Sequence, residues 1–459
     1  MAGATNGGKA PGNPDPPRPP RRITLRVKPL HHRGALLLLG GAVLALSGAA
    51  FAFTTRPSPP EAPVPADGWV DERLAGRVDA SAAPRGDSDL LFCTSTATHG
   101  QADQLFRMDL HGWNKHRIVD LPGCEAAWVP GADALLFLAS PVFPGPPGGM
   151  EGEIGNPPST PDPSSGAPRL HRLDPLPGNP QAEWRVTPLE STRGLQGIHW
   201  PYRQVEGSPG GGRALVVATE AGGTPSVYLV DLVADRLVRL TDDAGSEDHP
   251  AWDAHRGLVL FSSDRGGPRE LWALDLDAPG STPRRLLESP SQDTRPVPHP
   301  RGILFVRGVG EGPTEGDMAI HLLEDDPEAP GGFRPRVLVD EPWNDLNPGW
   351  SPDGRYLCWQ SEEFGHFESH IKVMELDTGA TWTATRDLPG RSSTCSITLD
   401  GGHLLFTQVV ERGVEQVYLL PLAGGDAENL SRTTGPAFPF VELPPGLLPA
   451  LKEGARVQP

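Results

Sequence analysis

The chain has 459 residues, of which 37% are hydrophobic, and it carries a formal net charge of −18. A chain of this length can bury one large core or several smaller ones, and its acidity argues against nucleic-acid binding because phosphates would be repelled. The 55 Gly and 54 Pro are spread as punctuation between apolar runs, which indicates turn-rich β structure rather than a disordered chain.

The N-terminus predicts a membrane anchor. Residues 1–33 hold seven Lys or Arg against one Asp, and we expect them to form a disordered cytoplasmic tail. The uncharged stretch that follows is GALLLLGGAVLALSGAAFAF. About 20 apolar residues cross a bilayer as one helix, and the flanking charge places the N-terminus inside. We therefore predict a single-pass inner-membrane anchor at 34–54, with a cleaved signal peptide as the alternative, and an extended Pro-rich linker at 55–70.

The body contains an internal repeat. Its two clearest copies read HPAWDAHRGLVLFSSDRGGPRELWALDLDAPG (249–280) and NPGWSPDGRYLCWQS (347–361). Each has Pro two residues before Trp, then a turn, an apolar run ending in Ser and a polar loop. Trp252 and Trp350 leave room for one further copy between them, so the unit is about 49 residues, near the length of a four-stranded propeller blade.

Weaker copies fill the rest of residues 71–442 and predict an all-β propeller of seven four-stranded blades. The first and fifth copies are degenerate, so six or eight blades stay open. The apolar runs lack polar alternation and must be covered on both faces, as stacked blades do. We expect Trp252 and Trp350 to be wedges between blades, Pro352-Asp353-Gly354 to be a turn, 141–168 to be a disordered insertion and 443–459 to be a tail.

Both Trp units resemble the WD-like repeats of the TolB-type β-propellers. The resemblance covers roughly 85–435 and is specific for the fold. It implies a cell-envelope protein outside the inner membrane, since the family's well-known member is periplasmic and belongs to the Tol–Pal system. That member has an α/β domain before its propeller, and the stretch between the anchor and the first blade is too short for one. Similar repeats occur in prolyl-oligopeptidase relatives and in receptor-kinase propellers.

Catalytic motifs are missing from the sequence. A peptidase relative would need a hydrolase domain with a G-x-S-x-G elbow, and no such elbow or phosphate-binding loop occurs. The stretch HFESH (366–370) is not the H-E-x-x-H of zinc enzymes. The first strands offer Trp, Pro and Ala at the predicted inward positions, which favours binding over catalysis. We therefore predict no enzyme activity, no cofactor and no metal.

Acidic loops form the candidate partner site. The loops between blades and those between second and third strands share one face of a propeller, and together they predict a partly acidic rim for a partner with a basic surface or for a bound cation. Plain solvation of exposed loops is the alternative interpretation. The rim residues are Asp242, Asp243, Glu247, Asp248, Asp264, Arg265, Asp345, Glu362 and Glu363.

Four cysteines would lie in an oxidising compartment if the body is exported. Cys93 and Cys358 fall in second strands, and Cys124 and Cys395 begin the following blades, so Cys93–Cys124 and Cys358–Cys395 are candidate disulfides between neighbouring blades. Buried free thiols are the alternative. The repeat alignment offsets Cys93 from Cys358 by one residue, which would point them to opposite sides.

The sequence thus predicts a non-enzymatic envelope scaffold, a monomeric propeller that binds a protein or peptide partner outside the membrane. The alternatives are a lyase or hydrolase of extracellular polymers that uses the propeller funnel, and a stand-alone sensor module related to receptor-kinase propellers.

Overall fold

A computed structural model of the chain describes residues 88–444, apart from interruptions of which the longest are 95–103, 140–168 and 309–317. Within these residues seven antiparallel sheets follow one another along the chain, and short 3-10 turns occur at Glu190–Thr192 and Pro330–Gly332. The predicted all-β propeller with seven four-stranded blades is confirmed.

Several predicted segments lie outside the described residues, namely the tail at 1–33, the anchor at 34–54, the linker at 55–70 and the insertion at 141–168. Among the residues that the structure does describe, no helix has the length and apolarity that a membrane crossing requires.

The strands of each blade run in order from the central channel outward. Blade I is β29 (Ala437–Leu443), β1 (Asp89–Thr94), β2 (Gln104–Asp109) and β3 (His116–Arg117), and blade II is β4 (Glu125–Val129), β5 (Ala134–Ala139), β6 (Arg169–Pro175) and β7 (Trp184–Pro188). Blade III has two short inner strands, β8 (Gly197–Ile198) and β9 (Glu206–Gly207), followed by β10 (Arg213–Thr219), β11 (Ser226–Asp231) and β12 (Arg236–Arg239).

Blades IV to VII are regular. Blade IV is β13 (Glu247–Asp253), β14 (Leu258–Ser263), β15 (Glu270–Asp275) and β16 (Arg284–Arg285), and blade V is β17 (Asp293–His299), β18 (Gly302–Gly308), β19 (Met318–Asp325) and β20 (Phe333–Val339). Blade VI is β21 (Asp345–Trp350), β22 (Tyr356–Ser361), β23 (His370–Glu375) and β24 (Ala380–Thr383), and blade VII is β25 (Ser392–Ile397), β26 (His403–Val409), β27 (Glu415–Pro421) and β28 (Glu428–Asn429).

The core lies between blades. Second strands are buried along most of their length, and apolar clusters join the second and third strands of one blade to the next blade. Six of the seven second strands carry a fully buried aromatic residue at the same register position. A large side chain there fills the space between adjacent sheets. These residues are Phe92, Phe137, Phe261, Phe305, Trp359 and Phe406.

The ring closes through the C-terminal end of the described chain. Strand β29 pairs with β1 and becomes the inner strand of blade I, so one blade is built from both ends of the propeller. The sequence left this blade one strand short, because β29 (AFPFVEL) lacks the Pro-x-Trp pattern of the repeat. Closure of this kind protects the edge strands that an open ring would expose.

The repeat Trp residues contact the blade before their own. Trp252 packs on the apolar cluster between blades III and IV. Trp350 packs on the cluster between blades V and VI, and its indole Nε1 donates to the carbonyl of Val297 at 3.1 Å.

The Pro352-Asp353-Gly354 stretch forms a turn between β21 and β22. Its Gly354 amide donates to the Ser351 carbonyl at 2.9 Å, and the φ of Gly354 is +69°. Asp353 accepts a hydrogen bond from the backbone amide of Arg355 at 3.0 Å, which fixes the far side of the turn.

Two disulfides cross blade boundaries. Cys93 bonds to Cys124 between blades I and II, and Cys358 bonds to Cys395 between blades VI and VII. Strand pairing places Cys93 level with Gln360, two positions from Cys358 rather than one, so the two thiols point to the same side of their sheets. The one-residue offset of the repeat alignment is therefore wrong.

Removing either disulfide should destabilise the propeller without unfolding it at room temperature. The bonds close chain segments of 31 and 37 residues, and loops of this size give about 2–4 kcal/mol of stability. We expect the double variants Cys93→Ser/Cys124→Ser and Cys358→Ser/Cys395→Ser each to lower the free energy of unfolding in urea by that amount. A loss under about 0.5 kcal/mol would contradict the pairing, as would thiols that react with a labelling reagent in the native, unreduced protein.

Candidate functional site

The inner strands of four consecutive blades begin with the same irregularity. In β13, β17, β21 and β25 the pairing shifts after the second residue, which is a β-bulge. The third residue of each strand has a positive φ, although none is glycine: His249 (49°), Arg295 (58°), Asn347 (52°) and Thr394 (46°). We call these four the bulge residues.

The bulges lie near the upper face, which is the end of the propeller that carries the loops between blades and the loops between second and third strands. The bulge residues are partly exposed, whereas the first residue of each of these strands is buried. A positive φ in a non-glycine residue costs free energy and persists only where the surrounding structure fixes it. The four strands therefore hold four different side chains in one imposed backbone geometry at the mouth of the channel.

Two of the bulge residues are joined by a hydrogen bond, and a third lies beside its own chain neighbour. Arg295 Nη1 donates to Asn347 Oδ1 of the next blade, and Asn347 Nδ2 donates to Gln360 Oε1 at 3.0 Å. His249 Nδ1 lies 3.2 Å from Asp248 Oδ2. Burial lowers the pKa of His249 to about 4, against the opposing charge of Asp248, so the imidazole is neutral at physiological pH.

The buried first residues carry carboxylates in blades IV, V and VI. Glu247 accepts from Arg265 Nη2 at 2.7 Å and from the Ser263 hydroxyl at 2.9 Å, and burial raises its pKa against these bonds. Asp293 accepts two bonds from Arg307, both at 2.7 Å. Each of these two acids is thus neutralised inside its own blade.

Asp345 differs from its two counterparts. Its side chain is fully buried, and its Oδ1 accepts from Trp359 Nε1 at 2.8 Å. Its Oδ2 is buried without a hydrogen-bond partner. Burial, helped by the nearby charge of Glu341, raises the pKa of Asp345 to about 7 against the opposing effects of Ser361, Trp359 and Lys372.

The predicted rim residues of blade IV cluster around two arginines. Asp242 is 74% exposed and lies 3.4 Å from Arg265, while Asp248 and Asp264 lie 3.9 and 3.6 Å from Arg269. The rim on this blade is therefore a mixed patch of both charges rather than an acidic one. Asp242 and Asp264 are exposed, and ion pairs to exposed groups add little stability, so these acids are available to contact a partner.

Blade VI holds a second group of the predicted rim residues. Glu362 accepts from Asn344 Nδ2 at 2.9 Å, and Glu363 lies 3.5 Å from Lys372 Nζ. Glu247 and Asp345 do not belong to the exposed rim that the sequence predicted, because each is the first residue of an inner strand, pairs with the second strand there and is buried. Asp243 lies outside the described residues.

The bulge residues were missed by the sequence analysis. It placed Trp, Pro and Ala at the inward positions of the first strands, whereas the repeat Trp residues pack between blades. The bulges instead bring His249, Arg295 and Asn347 to the channel mouth. One signal could have found them, an acid followed three residues later by Pro. It occurs at the start of three inner strands, as EDHP (247–250), DTRP (293–296) and DLNP (345–348).

In the described part of the chain, no group of three or more His, Cys, Asp or Glu side chains is arranged to hold a metal ion. From the HFESH stretch, His370 is buried, and its Nδ1 lies 3.0 Å from the Thr385 carbonyl. His366 lies outside the described residues.

Comparison with known proteins gives the fold. No protein-family model matches the chain. An uncharacterised protein of Agrobacterium fabrum is 29% identical over 136 residues, which span 28% of this chain and 44% of that protein. A puromycin hydrolase in complex with PGG is 16% identical with a TM-score of 0.53, and the match covers 82% of this chain and 56% of that one.

TolB from Acinetobacter baumannii is also among the similar solved structures, at 18% identity and a TM-score of 0.42, with 64% of this chain and 63% of that chain covered. The chain thus spans less than two thirds of the length of each of these relatives. The propeller fold that the repeat predicted is present, and at these identities the likeness to solved structures shows the fold alone.

Proposed function

We propose that the chain is a binding protein whose partner, a protein or peptide, docks on the upper face with a segment at the channel mouth. The observation that carries this is the row of four bulges. The repeat fixes the backbone geometry at one position of four blades, while the side chain there changes from His to Arg to Asn to Thr. An invariant backbone with variable side chains suits recognition, because each blade contributes a different contact to one surface.

The chemistry of this mouth suits a polar partner. Arg295 and Asn347 offer hydrogen-bond donors and acceptors, and the mixed charges of Asp248, Asp264 and Arg269 lie beside them. Arginine is enriched in the residues that dominate binding energy in protein interfaces. These features support the partner surface over a reactive centre, although puromycin hydrolase, a hydrolase by name, shares the fold.

We further propose that the propeller works outside the inner membrane, held by the anchor at 34–54, as a scaffold of the cell envelope. The two disulfides support this location, since structural disulfides persist in oxidising compartments. The propeller would act as a monomer towards its partner.

Site-specific photo-crosslinking in intact cells tests the proposal. A photoreactive residue at Thr394 probes the channel mouth, and one at Val337, which is 52% exposed on the outer strand β20, is the matched control. We expect Thr394 to capture one defined envelope protein that Val337 does not capture. Absence of any specific product at Thr394, together with turnover of extracellular glycans by the purified propeller, would overturn binding in favour of an enzyme.

A further inference from the structure

The buried acids at the start of β13, β17 and β21 occupy equivalent positions, but only two of them are paired with an arginine side chain. Arg307 stands directly opposite Asp293, and Arg265 reaches Glu247 from the loop after β14. The residue opposite Asp345 is Ser361, which cannot supply a charge. Blade VI therefore keeps a buried carboxyl group whose counterparts are neutralised by arginine.

One ammonium group lies among three acids in this region. Lys372 is only 7% exposed, and its Nζ lies 2.7 Å from Glu341 Oε2 and 3.5 Å from Glu363 Oε2. The Trp343 ring lies under it at 5.0 Å, and its Nε1 donates to Glu341 Oε2 at 2.9 Å. Lys372 acts on the charge of Asp345 as well, opposing the effect of Glu341. Glu341, Glu363 and Asp345 thus compete for a single cation.

Other charges around β21 are already engaged. Asp293 and Arg307 bind each other, and the imidazole of His370 lies 3.0 Å from the Thr385 carbonyl. Burial lowers the pKa of His321, which disfavours a positive charge there. The titratable or charged groups on the strands and loops around Asp345 are Asp293 and Arg295 of β17, Arg307 of β18, His321 of β19, His370 and Lys372 of β23, and Asp340, Glu341, Glu362 and Glu363 of the adjoining loops.

We propose that Asp345 is a proton-controlled switch for Lys372. While the carboxyl group is neutral, the ammonium stays with Glu341 and Glu363. When the proton leaves to solvent, the buried carboxylate draws the ammonium inward, and Glu341 and Glu363 become uncompensated negative charges on the upper face. Because burial raises the pKa of Asp345 to about 7, the change occurs near neutral pH. This inference is independent of the proposed partner, although it would alter the charge of the same face.

Two indole groups report on the switch. Trp359 Nε1 donates to Asp345 and Trp343 Nε1 donates to Glu341. We expect the indole N–H signals of both residues, assigned by Trp→Phe variants in nuclear magnetic resonance spectra, to shift together between pH 5 and pH 9 with a midpoint near 7. Asp345→Asn should abolish the shift, since the amide still accepts from Trp359 but cannot ionise. Glu375→Gln, at the far end of β23, should leave it unchanged.

Two further variants make the test directional. Glu341→Gln should lower the midpoint and Lys372→Met should raise it, each by about one unit, because a nearby negative charge disfavours ionisation and a positive charge favours it. These opposite shifts of the midpoint test the proposal even if Asp345→Asn does not fold. The proposal is overturned if the wild-type signals do not move between pH 5 and 9, if Asp345→Asn titrates like the wild type, or if both variants shift the midpoint in the same direction.

Discussion

Arg307→Met should destabilise the propeller by about 3–5 kcal/mol, the usual cost of removing one partner from a buried ion pair. Asp293 is fully buried, and its two carboxylate oxygens each accept a bond from Arg307 at 2.7 Å. The variant leaves an uncompensated charge between blades. Urea unfolding at pH 7, followed by circular dichroism, measures the loss.

Two controls separate charge from packing. Asp293→Asn combined with Arg307→Met should recover most of the lost stability, because the remaining amide carries no charge. Arg334→Met, in the same blade, removes an arginine that is 71% exposed and pairs with Asp326, and we expect it to cost under about 1 kcal/mol. Equal losses for Arg307→Met and Arg334→Met would refute the buried pair as an element of stability.

Asp345→Asn should have the opposite effect and raise the free energy of unfolding by about 2–4 kcal/mol above neutral pH. The pKa of Asp345 is raised from 3.8 to about 7 by burial, so the folded chain still holds this proton over a range in which the unfolded chain has lost it. The contribution of this group to the free energy of unfolding therefore falls as pH rises from 3.8 to 7 and is constant above. Asparagine has no such dependence.

The measurement is the free energy of unfolding of both proteins at pH 4, 6 and 8. The advantage of Asp345→Asn should be small at pH 4, grow through pH 6 and be largest at pH 8. Asp377→Asn, at an acid that is 65% exposed, should change stability by less than about 0.5 kcal/mol at each pH. An advantage of Asp345→Asn that is the same at all three pH values would show that ionisation of Asp345 is not its cause.

The repeat made the fold predictable. Trp252 and Trp350 set the length of the unit, and apolar runs such as Leu258–Ser263 required sheets covered on both faces. Both pairs of cysteines were also placed in adjoining blades by their positions in the unit. The closing strand Ala437–Leu443 could not be found in this way, because pairing between distant parts of the chain supplies it and no repeat pattern marks it.

The candidate site was less predictable than the fold, because a local irregularity of the inner strands, the β-bulge, determines it. A strand pattern assumes strict alternation, and one extra residue in a bulge shifts every later side chain to the other side. Glu247 and Asp345, which the sequence had placed on an exposed rim, instead open an inner strand and are buried there. The bulge that follows them brings His249, Arg295 and Asn347 to the channel mouth. Loop acids such as Asp242 and Asp264 did fall near the upper face, yet their pairing with Arg265 and Arg269 depends on contacts that no spacing reveals.

The affinity of the purified propeller for the partner captured at Thr394 tests the central claim most directly. Arg295 and Arg301 lie in the same blade, one at the channel mouth and the other in the turn between β17 and β18 at the opposite end, where it donates to the Gly354 carbonyl at 3.0 Å. We expect Arg295→Met to weaken binding about tenfold or more, while Arg301→Met leaves the affinity within about twofold. Equal affinities for the two variants, or a loss confined to Arg301→Met, would contradict recognition at the channel mouth.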